Sequence, residues 1–186
     1  EEWLENQCTS DIFHGMIDNL RYYPMLGSRG CAYKCTFCYH QESRYKLRSV
    51  DSIMNELRER VPKYRINVIY FYDDLFSANK NRIYEFCSKL NEFKKEIPWD
   101  IKWRTQLAVN IVDKELITAM KDSGCTWIGY GLESMSPKVL KSMNKAFITP
   151  EQIKEAYRLT KEAKIGVEGA FIFGDIAETK ETAQET

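Results

Sequence analysis

Residues 127–137 read WIGYGLESMSP, and the rest of the chain repeats the pattern that this stretch shows. Its first five residues are aromatic, β-branched or glycine, which is typical of a buried strand. The pair Ser136-Pro137 then places a capping hydroxyl before a proline at the first helical position, which is a strong signal for the start of a helix. The stretch therefore predicts a strand followed closely by a helix.

The same alternation of strand and helix recurs from Tyr23 onward. A second helix start lies at Thr149-Pro150, where Gln152 completes a capping box. The predicted strands cover residues 25–28, 66–72, 101–106, 127–131 and 167–173, and this rhythm is typical of parallel βα units. A complete eight-stranded barrel needs about 250 residues. We therefore predict an α/β fold, a partial and open TIM-like barrel with outer helices that stops after the fifth strand.

The 186 residues divide into two unequal parts. Residues 23–186 form the predicted core domain, which we expect to be incomplete at its carboxyl end because no strand follows the polar residues 178–186. Residues 1–22 are expected to be a lead-in segment that packs on the outside of the barrel through Trp3, Leu4, Ile12, Phe13 and Ile17.

Charge and hydropathy exclude several classes of function. Twenty-seven basic residues balance 27 acidic ones, so no global field would attract nucleic acid or an anionic membrane surface. The longest apolar runs, such as residues 66–72, are far shorter than the roughly 20 residues that cross a bilayer. The first residues do not show a basic region followed by an apolar stretch, so we do not expect secretion. We expect a protein of the cytoplasm.

Three of the six cysteines fall within eight residues, in the segment 27–40 that reads GSRGCAYKCTFCYH. Clustered cysteines in a reducing compartment indicate a metal site before they indicate disulfides. Cys8, Cys87 and Cys125 are scattered, and we predict inert thiols there. The segment follows the first predicted strand, and loops at the carboxyl ends of parallel strands form the active face of such folds.

Cys31, Cys35 and Cys38 can curl around one small object if the backbone between them forms a loop. A cubane iron–sulfur cluster normally takes four thiolates, so three would leave one iron open for a small molecule. One alternative is a structural zinc site formed by the three thiols and His40. Another is a thioredoxin-like redox pair of Cys35 and Cys38, which would leave Cys31 without a role.

The cysteine spacing resembles the signature of the radical S-adenosylmethionine (radical SAM) superfamily, C-x3-C-x-aromatic-C, which Cys31, Cys35, Phe37 and Cys38 match at every position. The resemblance implies that the three cysteines hold a [4Fe-4S] cluster. It also implies that the open iron binds the amino and carboxylate groups of S-adenosylmethionine. The reduced cluster would cleave that molecule into methionine and a 5′-deoxyadenosyl radical, which abstracts hydrogen from a substrate.

The resemblance also implies roles for residues at the other strand ends. The amino group of S-adenosylmethionine is held after the second strand, often by Gly-Gly-Glu in the family, and here either Asp73 or Asp74 stands at that place. Contacts to the ribose and carboxylate are implied for the third and fourth strands, with Arg104 as a carboxylate partner and Gln106 as a hydroxyl partner, and contacts to the adenine are implied for the fifth strand. The residues at those places are Arg104 and Gln106, Glu133 and Ser134, and Ile172 and Gly174, with Phe37 on the other side of the adenine.

Several phrases, among them residues 131–134 (GLES) and 139–145 (VLKSMNK), are similar to the branch whose members often carry a cobalamin-binding domain. The full-length protein is therefore expected to be a cobalamin-dependent methyltransferase or a relative that forms rings or bonds. A small-molecule substrate and an electron donor of flavodoxin or ferredoxin type are implied, while nucleic acid is not indicated. The alternative function is a non-catalytic module that binds zinc or an iron–sulfur cluster.

Overall fold

The computed structural model describes residues 20–39 and 44–186, and five strands of this part form one parallel sheet. Its spatial order is β1, β4, β5, β6 and β7, where the strands are Tyr22–Met25 (β1), Val68–Phe71 (β4), Lys102–Leu107 (β5), Cys125–Glu133 (β6) and Gly166–Phe171 (β7). A separate antiparallel ladder joins Ser28–Arg29 (β2) to Lys46–Leu47 (β3). The predicted parallel βα arrangement is confirmed.

Helices connect the strands, and local caps determine where they start. The helices are Val50–Tyr64 (α1), Lys80–Lys94 (α2), Lys114–Asp122 (α3), Pro137–Ser142 (α4), Pro150–Glu162 (α5) and Lys180–Glu185 (α6), with a short 3₁₀ turn at Val109–Ile111. The predicted capping box is confirmed at α5, because Thr149 and Gln152 each accept a hydrogen bond from the other's backbone. Ser136 and Pro137 begin α4 as predicted, although the serine side chain makes no capping bond.

The helices cover one face of the sheet and bury the core there. Phe71, Phe76, Phe86 and Trp103 form an aromatic cluster whose ring centroids lie 4.4 to 6.2 Å apart. Such edge and tilted ring pairs add to the free energy that burial of apolar area contributes. The indole N–H of Trp103 donates to the hydroxyl of Ser123 at 3.1 Å, so burial leaves no polar atom of this ring unsatisfied.

Alternate residues of the central strands point to the opposite face, which we call the second face. Tyr70, Arg104, Gln106 and Trp127 lie there, since side chains alternate along a strand and Trp103 and Leu107 belong to the helix-covered core. The predicted pairing of Arg104 with Gln106 on one side of β5 agrees with this alternation.

The first strand differs from the sequence-based expectation. It was predicted at residues 25–28 but spans Tyr22–Met25, while Ser28 pairs in the small ladder with β3. The strand includes Pro24, although proline cannot donate a hydrogen bond to a ladder. β1 is an edge strand, where such a residue is tolerated.

Some expectations fall on residues 1–19 and 40–43, outside the described part of the chain. They include the lead-in side chains, Cys8 and the possible zinc ligand His40. Within residues 20–39 and 44–186, no helix combines the length and the apolar character that crossing a bilayer requires.

Candidate functional site

The three clustered cysteines lie on one loop between β2 and β3, which we call the cysteine loop (residues 30–39). Cys31 and Cys35 are half-buried and Cys38 is exposed, and none of them is in a disulfide. The backbone N–H of Cys38 donates to the carbonyl of Cys35 at 3.2 Å, so the residues between them form a turn. A thioredoxin-like pair normally opens a helix, and no residue from 35 to 39 is helical.

Burial and neighbouring charges act on the two inner thiols. Burial raises the pKa of Cys31, and its proximity to Cys38 and Asp74 adds to that increase. Burial also raises the pKa of Cys35, and the positive charge of Lys145 partly offsets it. These mutual effects indicate that the three sulfur atoms lie within electrostatic range of one another.

The cysteine loop is docked on the segment that follows α4. The backbone N–H of Thr36 donates to the carbonyl of Met143 at 3.0 Å, and the side-chain amide of Asn144 donates to the carbonyl of Lys34 at 2.7 Å. Asn144 has a positive φ of 53°, a conformation that asparagine tolerates well at a helix end. The loop is therefore held by backbone groups on each side of Cys35.

An aromatic stack holds the same loop from another direction. The ring of Tyr33 lies parallel to that of Phe147, with centroids 3.9 Å apart and planes 4° apart. The hydroxyl of Tyr33 also bonds to the side chain of Asn110 at 3.1 Å, just after β5. The cysteine loop thus contacts the ends of two neighbouring βα units.

Glu133 ends β6 and forms a buried ion pair with Lys145. The distance between the two charged groups is 2.8 Å, and the side chains are only 8% and 10% exposed. Glu133 has a φ of 64°, in the left-handed region that non-glycine residues rarely occupy. Strain of this kind is concentrated at functional sites.

Gly131 makes room for this ion pair. A Cβ atom at that position would lie 2.7 Å from a carboxylate oxygen of Glu133 and 3.1 Å from the ammonium of Lys145. Any side chain there would displace the pair. The glycine of the GLES phrase is therefore explained by close packing.

A cleft of ≈ 410 Å³ opens beside the cysteine loop and brings together three residues predicted to contact adenine: Phe37, Ile172 and Gly174. Phe37 is 42% exposed, so its ring is available to a ligand. Gly174 has a φ of 95°, and an added Cβ would meet nothing within 4 Å. Thr36, Ser142, Met143, Phe173, Asp175 and Ile176 complete the lining.

Asp73 and Asp74 follow β4 and differ sharply in environment. Asp73 is buried, and its carboxylate accepts hydrogen bonds from the backbone N–H of Gly27 at 3.1 Å and from the hydroxyl of Ser28. Asp74 is exposed and lies within electrostatic reach of Cys31. The aspartates, Gly30 and Tyr72 line a second pocket of ≈ 370 Å³.

Arg104 and Gln106 lie on the second face, below the ends of the strands. The guanidinium of Arg104 is placed between the rings of Tyr70 and Trp127, 4.2 Å and 4.3 Å from their centroids. Such contacts are cation–π interactions. Gln106 is exposed near the carboxyl end of β5. The described contacts of these two residues do not include the cysteine loop.

Ser134 has local partners. Its hydroxyl bonds to the hydroxyl of Thr186 at 2.8 Å and accepts a hydrogen bond from the backbone N–H of Ser136 at 3.0 Å. The residue is fully buried. Through these bonds, Ser134 stabilises the turn between β6 and α4.

The donor set of the cysteine loop fits a cubane cluster with three protein ligands. Each thiolate in a cubane binds a different iron, so the sulfur atoms need to surround a volume and not to meet at one point. Within residues 20–39 and 44–186, no three histidine, cysteine or acidic side chains are arranged around a single metal ion. Three free thiols on one docked loop satisfy the cluster requirement.

Two features of the site were missed by reasoning from the sequence. Lys145 was quoted only as part of a phrase, and its ion pair with Glu133 was not foreseen. The contacts of Tyr33, Asn144 and Phe147 were also missed. The phrase at residues 139–145 was the only available signal, and it contained no indication that this segment would meet the cysteine loop.

Comparison with known proteins agrees with this arrangement. A model of the radical SAM superfamily matches residues 25–186. An uncharacterized methyltransferase of Pyrococcus horikoshii is 32% identical over 172 residues, which are 91% of this chain and 36% of that protein. An anaerobic magnesium-protoporphyrin IX monomethyl ester cyclase of Cereibacter sphaeroides is 31% identical, with 86% of this chain and 26% of the cyclase covered. The chain thus spans about a quarter to a third of these relatives.

Solved structures share the fold at lower identity. TsrM from Kitasatospora setae, a radical S-adenosylmethionine methyltransferase solved with tryptophan and an S-adenosylmethionine analogue, has a TM-score of 0.78 at 20% identity. The match covers 88% of this chain and 32% of TsrM. The cobalamin-dependent enzyme OxsB with aqua-cobalamin bound has a TM-score of 0.74 at 24% identity, over 87% of this chain and 25% of OxsB. These likenesses confirm the barrel-type fold.

Proposed function

Because the chain belongs to the radical SAM superfamily, we propose that Cys31, Cys35 and Cys38 hold a [4Fe-4S] cluster whose fourth iron binds S-adenosylmethionine. The observation that carries the proposal is the cysteine loop itself, which places three free thiols beside a cleft of ≈ 410 Å³. When reduced, such a cluster supplies the electron that splits S-adenosylmethionine into methionine and a 5′-deoxyadenosyl radical. The residues of this chain bind and orient the reactants.

The cleft is our candidate for the adenine. Phe37 offers an exposed ring, and Ile172 lines the same cleft. Gly174 also lines it and adds no side chain. A largely apolar cleft with few polar groups is a common environment for a bound small molecule.

Asp74 is our candidate for the amino group of S-adenosylmethionine. Both aspartates follow β4, but Asp73 already accepts hydrogen bonds from Gly27 and Ser28. Asp74 is exposed in the pocket that also includes Gly30, next to Cys31. A carboxylate there would make a charge-assisted hydrogen bond to an ammonium group.

Glu133 is our candidate for the ribose hydroxyls, since a carboxylate has two oxygens and the ion pair with Lys145 uses Oε1. We also propose Arg104 as a partner of the carboxylate group of S-adenosylmethionine and Gln106 as a partner of one of its hydroxyls. Ser134 supports the turn that places Glu133.

The whole protein is proposed to be a cobalamin-dependent methyltransferase or a related enzyme that acts on a small molecule. The similarity to proteins named methyltransferases and cyclases supports this class, as does the fold shared with TsrM and OxsB. A flavodoxin or ferredoxin would supply the electron. A reducing compartment such as the cytoplasm suits clustered thiols of this kind.

The proposal is tested by anaerobic reconstitution of the chain with iron and sulfide, followed by reduction in the presence of S-adenosylmethionine. We expect 5′-deoxyadenosine to form, and Cys35→Ala to abolish its formation. Cys87→Ala is the matched control, because Cys87 is a buried cysteine outside the loop. A chain that binds one zinc ion, stays colourless and forms no product would instead support a non-catalytic metal module.

A further inference from the structure

Lys145 is a buried cation that the predicted roles of this site do not use. Its side chain is 10% exposed and pairs with Glu133 at 2.8 Å. Removal of two charges from water costs several kcal/mol for each ion, and the pair restores only part of that free energy. A buried pair of this kind is therefore weak evidence for stability, and a role in the chemistry of the site needs to be considered.

The ammonium group of Lys145 lies close to the cysteine loop. It lies 5.9 Å from the centroid of the Phe37 ring. Phe37 lies between Cys35 and Cys38 in the sequence. The residues beside Lys145 bind the loop directly, since Met143 and Asn144 bond to the backbone of Thr36 and Lys34. The ammonium is thus held on the same surface that fixes the loop.

Lys145 follows two residues that bond to the loop on each side of Cys35, since Met143 contacts Thr36 and Asn144 contacts Lys34. Its positive charge therefore lies close enough to act on the thiols of the loop.

The electrostatic consequence concerns reduction. One electron added to a cluster held by thiolates increases its negative charge, and nearby charge is one of the factors that determine cluster potentials. In a partly buried site such a charge is weakly screened. From this geometry, and on the basis of the proposed cluster, we propose that Lys145 is a positioning residue that stabilises the reduced cluster and raises its midpoint potential, with Glu133 holding the ammonium in place.

The test measures iron content and midpoint potential in the reconstituted chain, by a redox titration followed by electron paramagnetic resonance. Lys145→Met removes the charge and keeps a similar length, while Lys145→Arg keeps the charge. Lys141→Met is the matched control, because it removes an equal charge from an exposed position on α4. We expect a negative shift of the potential in Lys145→Met, and values near that of the unmodified chain in the other two variants.

Each outcome has a definite meaning. If Lys145→Met loses iron and Lys145→Arg keeps it, the result would also support stabilisation of the cluster by the charge of Lys145. An unchanged potential in Lys145→Met with full iron content would overturn the inference, and so would equal shifts or equal iron loss in both Lys145 variants. A shift in Lys141→Met as large as that in Lys145→Met would overturn it as well. Failure of the unmodified chain to bind a cluster would refute the proposed function itself.

Discussion

Asp73 and Asp74 are adjacent in the sequence but lie in different environments. Burial raises the pKa of Asp73 above its ordinary value of 3.8, although hydrogen bonds from Ser28 and Gly27 act in the opposite direction. The folded state therefore holds a proton on Asp73 more tightly than the unfolded state does. The stability that this proton contributes is complete below the unfolded pKa and is lost as the pH rises through the folded pKa.

The raised pKa of Asp73 leads to a prediction about how the stability of the chain depends on pH. Relative to Asp73→Asn, which does not titrate, the unmodified chain should lose free energy of unfolding as the pH rises from below 3.8 toward neutrality. Denaturant unfolding at several pH values measures the difference. A difference that stays constant, or that increases with pH, would contradict the buried environment of Asp73.

Asp74→Asn should affect binding and leave stability nearly unchanged. Loss of one charged partner should weaken the binding of S-adenosylmethionine to the cluster-loaded chain by about tenfold or more. The free energy of unfolding should change by no more than about 0.5 kcal/mol, as for most exposed positions. Equilibrium binding and denaturation measure the two effects. Unchanged affinity would exclude Asp74 as the partner of the amino group.

The five described thiols should differ in reactivity. Burial raises the pKa of Cys87 to about 11 and also raises that of Cys125, so both remain protonated and shielded. We expect iodoacetamide to modify the three loop cysteines in the native, metal-free chain and Cys87 and Cys125 only after denaturation. Peptide mass spectrometry measures this, and cluster loading should protect the loop. Native labelling of Cys125 would contradict the described core.

At the scale of elements, the cysteine loop depends on the end of α4 for its position. Residues 30–39 of the loop contain no helix or strand, and backbone groups of Thr36 and Lys34 bond to Met143 and to the side chain of Asn144. Because a loop of this kind has few internal bonds, its order depends on such contacts. The short helix α4 therefore acts as a support for the site.

Asn144→Gly tests this support without adding backbone strain. Glycine accepts the positive φ of 53° but removes the side-chain bond to Lys34. We expect faster hydrogen exchange at the backbone amide of Thr36, with little change at the amides of α5. Asn144→Ala should show the same local effect and an additional loss of about 1 kcal/mol of stability. Unchanged exchange at Thr36 in the glycine variant would show that the bond from Asn144 to Lys34 does not order the loop.

Part of this architecture could be predicted from the sequence because it is local. The strand at β6, the helix start at Ser136 and the capping box at Thr149 depend on neighbouring residues, and the structure agrees with them. The first strand was misplaced because local propensity does not fix its register, which pairing with β4 determines. Pairings between distant residues cannot be derived from local propensity.

At the scale of the whole molecule, the parallel sheet brings distant segments to one edge. Phe37, Glu133, Lys145 and Ile172 come from different parts of the chain and meet around the cysteine loop. The cysteine spacing was sufficient to identify the family, because it is a short, specific pattern. The ion pair and the docking contacts depend on three-dimensional packing, so the sequence could not reveal them.

The central claim is that three thiols hold a cluster with one iron open to S-adenosylmethionine. Its most direct test is the electron paramagnetic resonance spectrum of the reconstituted, reduced chain, recorded with and without S-adenosylmethionine. We expect a [4Fe-4S] signal that changes when S-adenosylmethionine is added, that is absent in Cys35→Ala and that persists in Cys87→Ala. A cluster signal that S-adenosylmethionine leaves unaltered, or a chain that binds no iron, would contradict the claim.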